Sequence, residues 1–129
     1  MKTAYLLIDA PSRFSNVLRY NLCLQVTVIG RHESCHLIFT SPKVSNYHFS
    51  IIKWFDDYIL RDGMPSVDKL YTKSNPGTIV NDQVVYKSKV LESGDLISLP
   101  DGILIKFVVN DIHEKPANYL STLDVDTNE

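Results

Sequence analysis

The chain predicts an all-β fold, a two-sheet antiparallel β-sandwich. Three observations carry this expectation. About ten short strand-like segments recur at regular spacing along the chain. Gly, Pro, Asn and Asp mark the gaps between them. Before residue 112 no stretch sustains the 3.6-residue apolar period of an amphipathic helix. At 129 residues there is material for one core but not for two.

Residues 4–8 are a short apolar run ended by Asp9-Ala10-Pro11-Ser12, a strand closed by a turn. Residues 16–21 alternate Val17, Arg19 and Asn21 with Leu18, Tyr20 and Leu22, as a half-buried strand does. Residues 24–29 bring Val26, Val28 and Ile29, β-branched side chains that suit a pleated sheet, and Gly30 ends the segment. Leu37-Ile38-Phe39 is a short strand before Thr40-Ser41-Pro42. Residues 49–54 alternate again, Asp56-Asp57 is expected to turn, and Tyr58-Ile59-Leu60-Arg61 returns as the hairpin mate. Phe49, Trp54 and Tyr58 are expected in the core or in packing across this hairpin. Residues 62–75 read as loop. Asn81-Asp82 joins residues 78–80 to 83–86 as a tight hairpin, Ser93-Gly94-Asp95 turns into residues 96–99, and residues 103–109 form a long apolar final strand. The polar residues 112–129 have few apolar anchors and are expected to be a partly disordered or loosely docked tail.

Charge and cysteine content narrow the function classes. A net charge of −2 and a pI near 6.0 leave no basic stripe for nucleic acid. An anion site would have to be a small local basic pocket. No segment approaches the roughly 20 apolar residues that cross a bilayer, and the apolar run after Met1 is too short for a signal peptide. Cys23 and Cys35 both lie beside apolar residues; one disulfide between them is conceivable, but buried thiols in a reducing cytoplasm are expected. His32, Cys35, His36 and His48 lack the paired spacing of a structural zinc site, so no metal or other cofactor is expected. No nucleophile elbow or other catalytic signature accompanies Ser45 and His48, and the chain is read as a non-enzyme.

Two strand ends remain as the candidate site. Val28-Ile29-Gly30-Arg31 delivers an arginine directly after a glycine, and Val44-Ser45-Asn46-Tyr47-His48 delivers a serine with a histidine three positions on. A guanidinium offers a planar fork of five donors and can grip a phosphate with paired hydrogen bonds. A serine hydroxyl and turn N–H groups can satisfy further oxygens of the same anion. Arg31 and Ser45 are therefore expected to converge on one phosphorylated side chain.

With Gly77-Thr78-Ile79-Val80-Asn81 and Gly94-Asp95-Leu96-Ile97 following in order, the chain resembles the forkhead-associated (FHA) domain family over roughly residues 3–109. The resemblance implies a sandwich of about eleven strands that binds phosphothreonine in partner proteins, as an adaptor in Ser/Thr kinase signalling. It implies that Arg31 and Ser45 hold the phosphate, and that Asn46, Asn75 and Thr78 belong with the peptide contacts. Gly30, His48, Gly77 and Asn81 would support the site, Asn81 by bracing a neighbouring loop. One block departs from the family pattern. Pro76 stands where the family places an asparagine that bonds the peptide main chain, and Asn75 is the candidate to replace it. The loop over residues 62–73 is also longer than the compact family version, with Lys69 and Lys73 in or beside it. On this reading residues 1–111 are the FHA domain and 112–129 the tail, whose Ser121, Thr122 and Thr127 open a route to self-association. The alternative is a phospho-independent scaffold or assembly protein of the same fold, using a sheet face.

Overall fold

The computed structural model of the protein describes residues 2–10, 17–63, 74 and 77–111; the expected tail and most of the long loop, with Lys69, Lys73, Asn75 and Pro76, lie outside them. Among the described residues eleven strands are formed: β1 (Lys2–Asp9), β2 (Val17–Asn21), β3 (Val26–Gly30), β4 (Leu37–Ile38), β5 (Phe49–Trp54), β6 (Asp57–Asp62), β7 (Ile79–Val80), β8 (Gln83–Val84), β9 (Ser88–Val90), β10 (Leu96–Leu99) and β11 (Ile103–Asp111). They make two sheets, ordered β2-β1-β11-β10-β7-β8 and β4-β3-β5-β6-β9. No helix among them is long and apolar enough to cross a membrane.

Alternation along the strands builds the core. β1 pairs over its whole length with β11, opposing Leu6 to Phe107 and Ile8 to Ile105, and all four side chains are buried. The facing sheet contributes Ile29, Phe49, Ile51, Tyr58 and Leu60. Each such aliphatic or aromatic side chain contributes about 1.5–3 kcal/mol when taken from water. The core thus lies between the sheets and leaves the strand ends and outer faces to solvent.

Several expectations needed correction. The sandwich is not purely antiparallel, because β3 and β4 pair in parallel through Ile29–Leu37 and Gly30–Ile38. The β5–β6 turn is Phe55-Asp56, while Asp57 already pairs with Trp54. Ser88–Val90 was not foreseen as a strand; its mostly exposed residues add an edge to β6. The strand expected over 83–86 stops at Val84, and Val85 instead turns inward and bonds its N–H to the Thr78 carbonyl at 2.9 Å. Trp54 is 58% exposed, unlike Phe49 and Tyr58, because its alternation puts it on the outer face. Cys23 is exposed, only Cys35 is buried, and both are free thiols.

The predicted hairpin at Asn81-Asp82 is present. Both residues have positive φ, 52° and 67°, as a two-residue turn matching the strand twist requires.

Candidate functional site

The ends of β3 and β6, the start of β5 and the approach to β7 meet at one end of the sandwich. Gly30 closes β3 where the Ser45-Asn46 backbone crosses it. A Cβ at residue 30 would stand 2.2 Å from the Asn46 carbonyl oxygen and 2.9 Å from that of Ser45. Glycine is needed here for close approach of two backbones, not for an unusual φ.

That approach joins the two sequence blocks. The Arg31 N–H donates to the carbonyls of Ser45 at 3.1 Å and Asn46 at 3.2 Å, and His32 N–H donates to Asn46 at 3.2 Å. The Arg31 side chain is exposed, and its Nε–H donates to the Val44 carbonyl at 2.9 Å. Among the described residues its two terminal nitrogens have no protein partner. The guanidinium is therefore anchored at one edge while its outer donors remain available. Lys43, two residues before Ser45, instead lies 3.6 Å from the Asp101 carboxylate.

His48 ties this corner to the next loop. The ring is fully buried; Nδ1 accepts the Ser45 N–H at 3.0 Å and Nε2 lies 3.0 Å from the Gly77 carbonyl oxygen. Because a backbone N–H can only donate, Nδ1 is the acceptor and the proton sits on Nε2. Burial lowers the pKa of the ring, with the Gly77 carbonyl and the Asp62 carboxylate pulling the other way. The imidazole is a neutral strut, not a general base presented to solvent.

Asp62, which the sequence places at the start of a loop, belongs to β6. It ends β6 with its side chain buried, and its carboxylate accepts hydrogen bonds from Ser74 N–H at 3.1 Å, the Ser74 hydroxyl, and the Thr78 hydroxyl at 2.6 Å. The signal was available: Tyr58 and Leu60 alternate inward, and Asp62 continues their phase. A carboxylate on a core face requires donors.

The predicted residues fall into distinct places. Arg31, Ser45 and Asn46 share the corner, Ser45 half-buried and Asn46 exposed. Asn75 lies outside the described residues. Thr78, grouped with the peptide contacts above, is fully buried, with its hydroxyl committed to Asp62 and 3.3 Å from the His48 carbonyl oxygen. It lies beneath the surface, with its side chain turned to Asp62. Asn81 braces a different turn: its amide donates to Asp95 at 2.9 Å and accepts from Leu96 N–H at 3.0 Å. Burial disfavours the Asp95 carboxylate, yet hydrogen bonds from Glu92 N–H and Asn81, with Lys89 nearby, outweigh this and hold its pKa low.

The histidines and cysteine considered for zinc are separately engaged. His36 Nδ1 accepts the Val28 N–H at 2.9 Å, His32 stacks on Tyr47, and Cys35 donates to the Asn46 carbonyl. Burial pushes the Cys35 thiol pKa up, against a lowering backbone hydrogen bond at His32. Among the described residues no group of three or more His, Cys, Asp or Glu side chains is placed to hold a metal ion.

Comparison with known proteins matches residues 27–100 to the sequence model of the FHA domain. The serine/threonine-protein kinase cds1 of Schizosaccharomyces pombe is 33% identical over 76 residues, which are 57% of this chain and 16% of the kinase. An FHA structure from a structural and functional analysis of phosphothreonine-dependent FHA domain interactions superimposes with a TM-score of 0.66 at 24% identity, covering 85% of this chain and 99% of that one. EmbR of Mycobacterium tuberculosis, solved with a low-affinity phosphopeptide, gives a TM-score of 0.63 at 25% identity over 82% of this chain and 24% of EmbR.

Proposed function

The chain belongs to the FHA domain family, and on that premise we propose that it is a phosphothreonine-dependent protein-binding module whose phosphate is held by Arg31 and Ser45. The observation that carries the reading is the Arg31 guanidinium: it is fastened through Nε to Val44, open at its outer nitrogens, and sits on a backbone hydrogen-bonded to Ser45 at 3.1 Å. A phosphothreonine carries close to two negative charges and strong acceptor oxygens. A pre-positioned guanidinium meets it with two parallel bonds and little loss of side-chain freedom. The exposed Asn46 amide, with no partner among the described residues, is our candidate for the peptide main chain, with Asn75 proposed beside it from the sequence alone.

The phosphopeptide complex of EmbR and the kinase identity of cds1 support a role as an adaptor between a Ser/Thr kinase and its phosphorylated partners. In this reading the binding unit is residues 1–111, the module has no catalytic step of its own, and it works in the cytoplasm, where Cys23 and Cys35 stay reduced.

Calorimetry with phosphothreonine peptides tests the assignment. A charge-assisted hydrogen bond contributes about 1.5–3 kcal/mol net. Arg31→Ala should therefore weaken binding about ten- to a hundredfold or more, and Ser45→Ala should weaken it by a smaller factor. The unphosphorylated peptides should not bind. Affinity unchanged in both variants would refute the phosphate site. Retention of a natural partner after phosphatase treatment would favour the phospho-independent scaffold instead.

A further inference from the structure

The outer face of the five-stranded sheet carries an apolar row that the phosphate site does not use. Register places Val26 opposite Ile52, Ile52 opposite Ile59, and Ile59 opposite Val90, one β-branched residue from each of four adjacent strands. Directly paired residues share a face, and the alternating Phe49, Ile51 and Leu60 point into the core, so this row points outward. Its ends are open: Val26 is 38% exposed and Val90 52%. Trp54 lies on the same face, two residues from Ile52, with its indole packed edge-on against the exposed ring of Phe55. Phe55 itself has φ 57°, a conformation that a bulky side chain rarely adopts. The solvent face of an antiparallel sheet is ordinarily polar, and a contiguous apolar strip beside exposed aromatics marks an interaction surface.

The flanking charges specify the occupant. On β6, Asp57 precedes Ile59 by two residues and Arg61 follows it by two, all three on the outer face. Both charged residues are exposed, and among the described residues neither side chain has a hydrogen-bond or ion-pair partner. A two-fold axis laid along the apolar row exchanges these two positions. It sets Asp57 of each copy opposite Arg61 of the other while the apolar residues meet their own counterparts. A two-fold contact requires this kind of self-complementarity. Facing sheets pack about 10 Å apart, a gap that an arginine and an aspartate reaching from opposite sides can close.

We propose that the outer face of the five-stranded sheet is a self-association surface, on which a second copy of this chain docks row against row with two symmetric Asp57–Arg61 pairs. A patch four strands wide is small beside the roughly 1,200–2,000 Å² of stable interfaces, so the dimer is weak and concentration-dependent. The axis reverses strand direction between copies. The two Arg31 corners therefore face opposite ways, and one dimer can hold two separate partners, one at each end.

Sedimentation velocity on the full chain tests this, together with emission from Trp54, its one tryptophan. The mass should rise toward that of a dimer with concentration while the emission shifts to shorter wavelength. Asp57→Arg and Arg61→Asp should each weaken association about tenfold, by replacing attraction with repulsion. The double reversal should restore it, since the swapped pair is again complementary. Val90→Lys should abolish association, with thermal unfolding showing the fold retained. The proposal is overturned by a chain that stays monomeric at every concentration. It is equally overturned by self-association indifferent to these variants, or by a different protein occupying this face while the chain remains monomeric.

Discussion

The Nδ1 atom of His48 accepts the Ser45 N–H across 3.0 Å, and so the ring that supports the Arg31–Ser45 corner must stay neutral there. Protonating Nδ1 would turn an acceptor into a donor facing another donor. Through Nε2 the same ring holds the Gly77 carbonyl, so a single side chain keeps the loop before β5 and the loop before β7 in register.

This arrangement predicts an acid sensitivity. The folded pKa of His48 lies below the ordinary value of 6.5, because burial penalises the cation more than Gly77 and Asp62 favour it. Above 6.5 neither state is protonated and the full stability is present. As pH falls below it the unfolded chain takes up the proton first, so stability declines until the folded pKa is reached, by at most about 1.4 kcal/mol per pH unit. Denaturant unfolding across this window should show the decline for the wild type. His48→Ala should be less stable by about 3 kcal/mol or more and should lose this part of the pH dependence.

Gly30→Ala tests the backbone crossing. A methyl 2.2 Å from the Asn46 carbonyl oxygen meets backbone, which cannot rotate aside as a side chain would. Overpacking of this kind costs about 1–3 kcal/mol. The strand should survive, with Ser45 and Asn46 displaced from Arg31. The expected outcome is a lower unfolding midpoint and a larger loss of phosphopeptide affinity than stability alone explains. Wild-type affinity in the variant would show that the crossing does not position the site.

Thr78→Val keeps the shape and removes the hydroxyl. The Asp62 carboxylate then loses one donor in a buried position, where Ser74 supplies others. An underbonded buried carboxylate costs about 1–3 kcal/mol or more. Since the side chain is fully buried, the effect should appear in stability and leave the affinity of the folded fraction nearly unchanged. A large affinity loss with unaltered stability would restore Thr78 to the ligand contacts.

Much of the fold was legible because alternation reports which face is buried. β5 and β10 have the expected limits, and the Asn81-Asp82 turn carries its chemistry in its residue types. The site was legible only as separate blocks. Nothing local to Arg31 announces that its N–H binds Ser45, fourteen residues on, since that contact depends on how β3 and β5 pair. Asp62 was hidden for a related reason. Its side chain looks like loop polarity until Ser74 and Thr78 arrive beside it across the long loop. Strand β9 escaped because its three mostly exposed residues are too few to show a burial pattern and are held by pairing with β6.

The turn between β7 and β8 separates conformation from side-chain bonding. Asn81 and Asp82 both have positive φ, which glycine adopts without strain, yet only Asn81 has an amide bound to Asp95 and to Leu96 N–H. Asp82→Gly should relieve the backbone and be neutral or stabilising by up to about 1 kcal/mol. Asn81→Gly gains the same relief and loses two hydrogen bonds, one of them to a carboxylate, so it should be destabilising by about 1–3 kcal/mol. The lost amide also removes one of the contacts that hold the Asp95 pKa low. Asp95 contributes stability above its unfolded pKa that is lost as pH falls through the depressed folded value. Acid unfolding of Asn81→Gly should therefore show a shallower loss below about pH 4 than the wild type. Equal stability of the two glycine variants would mean that Asn81 is selected for its φ and not for its amide.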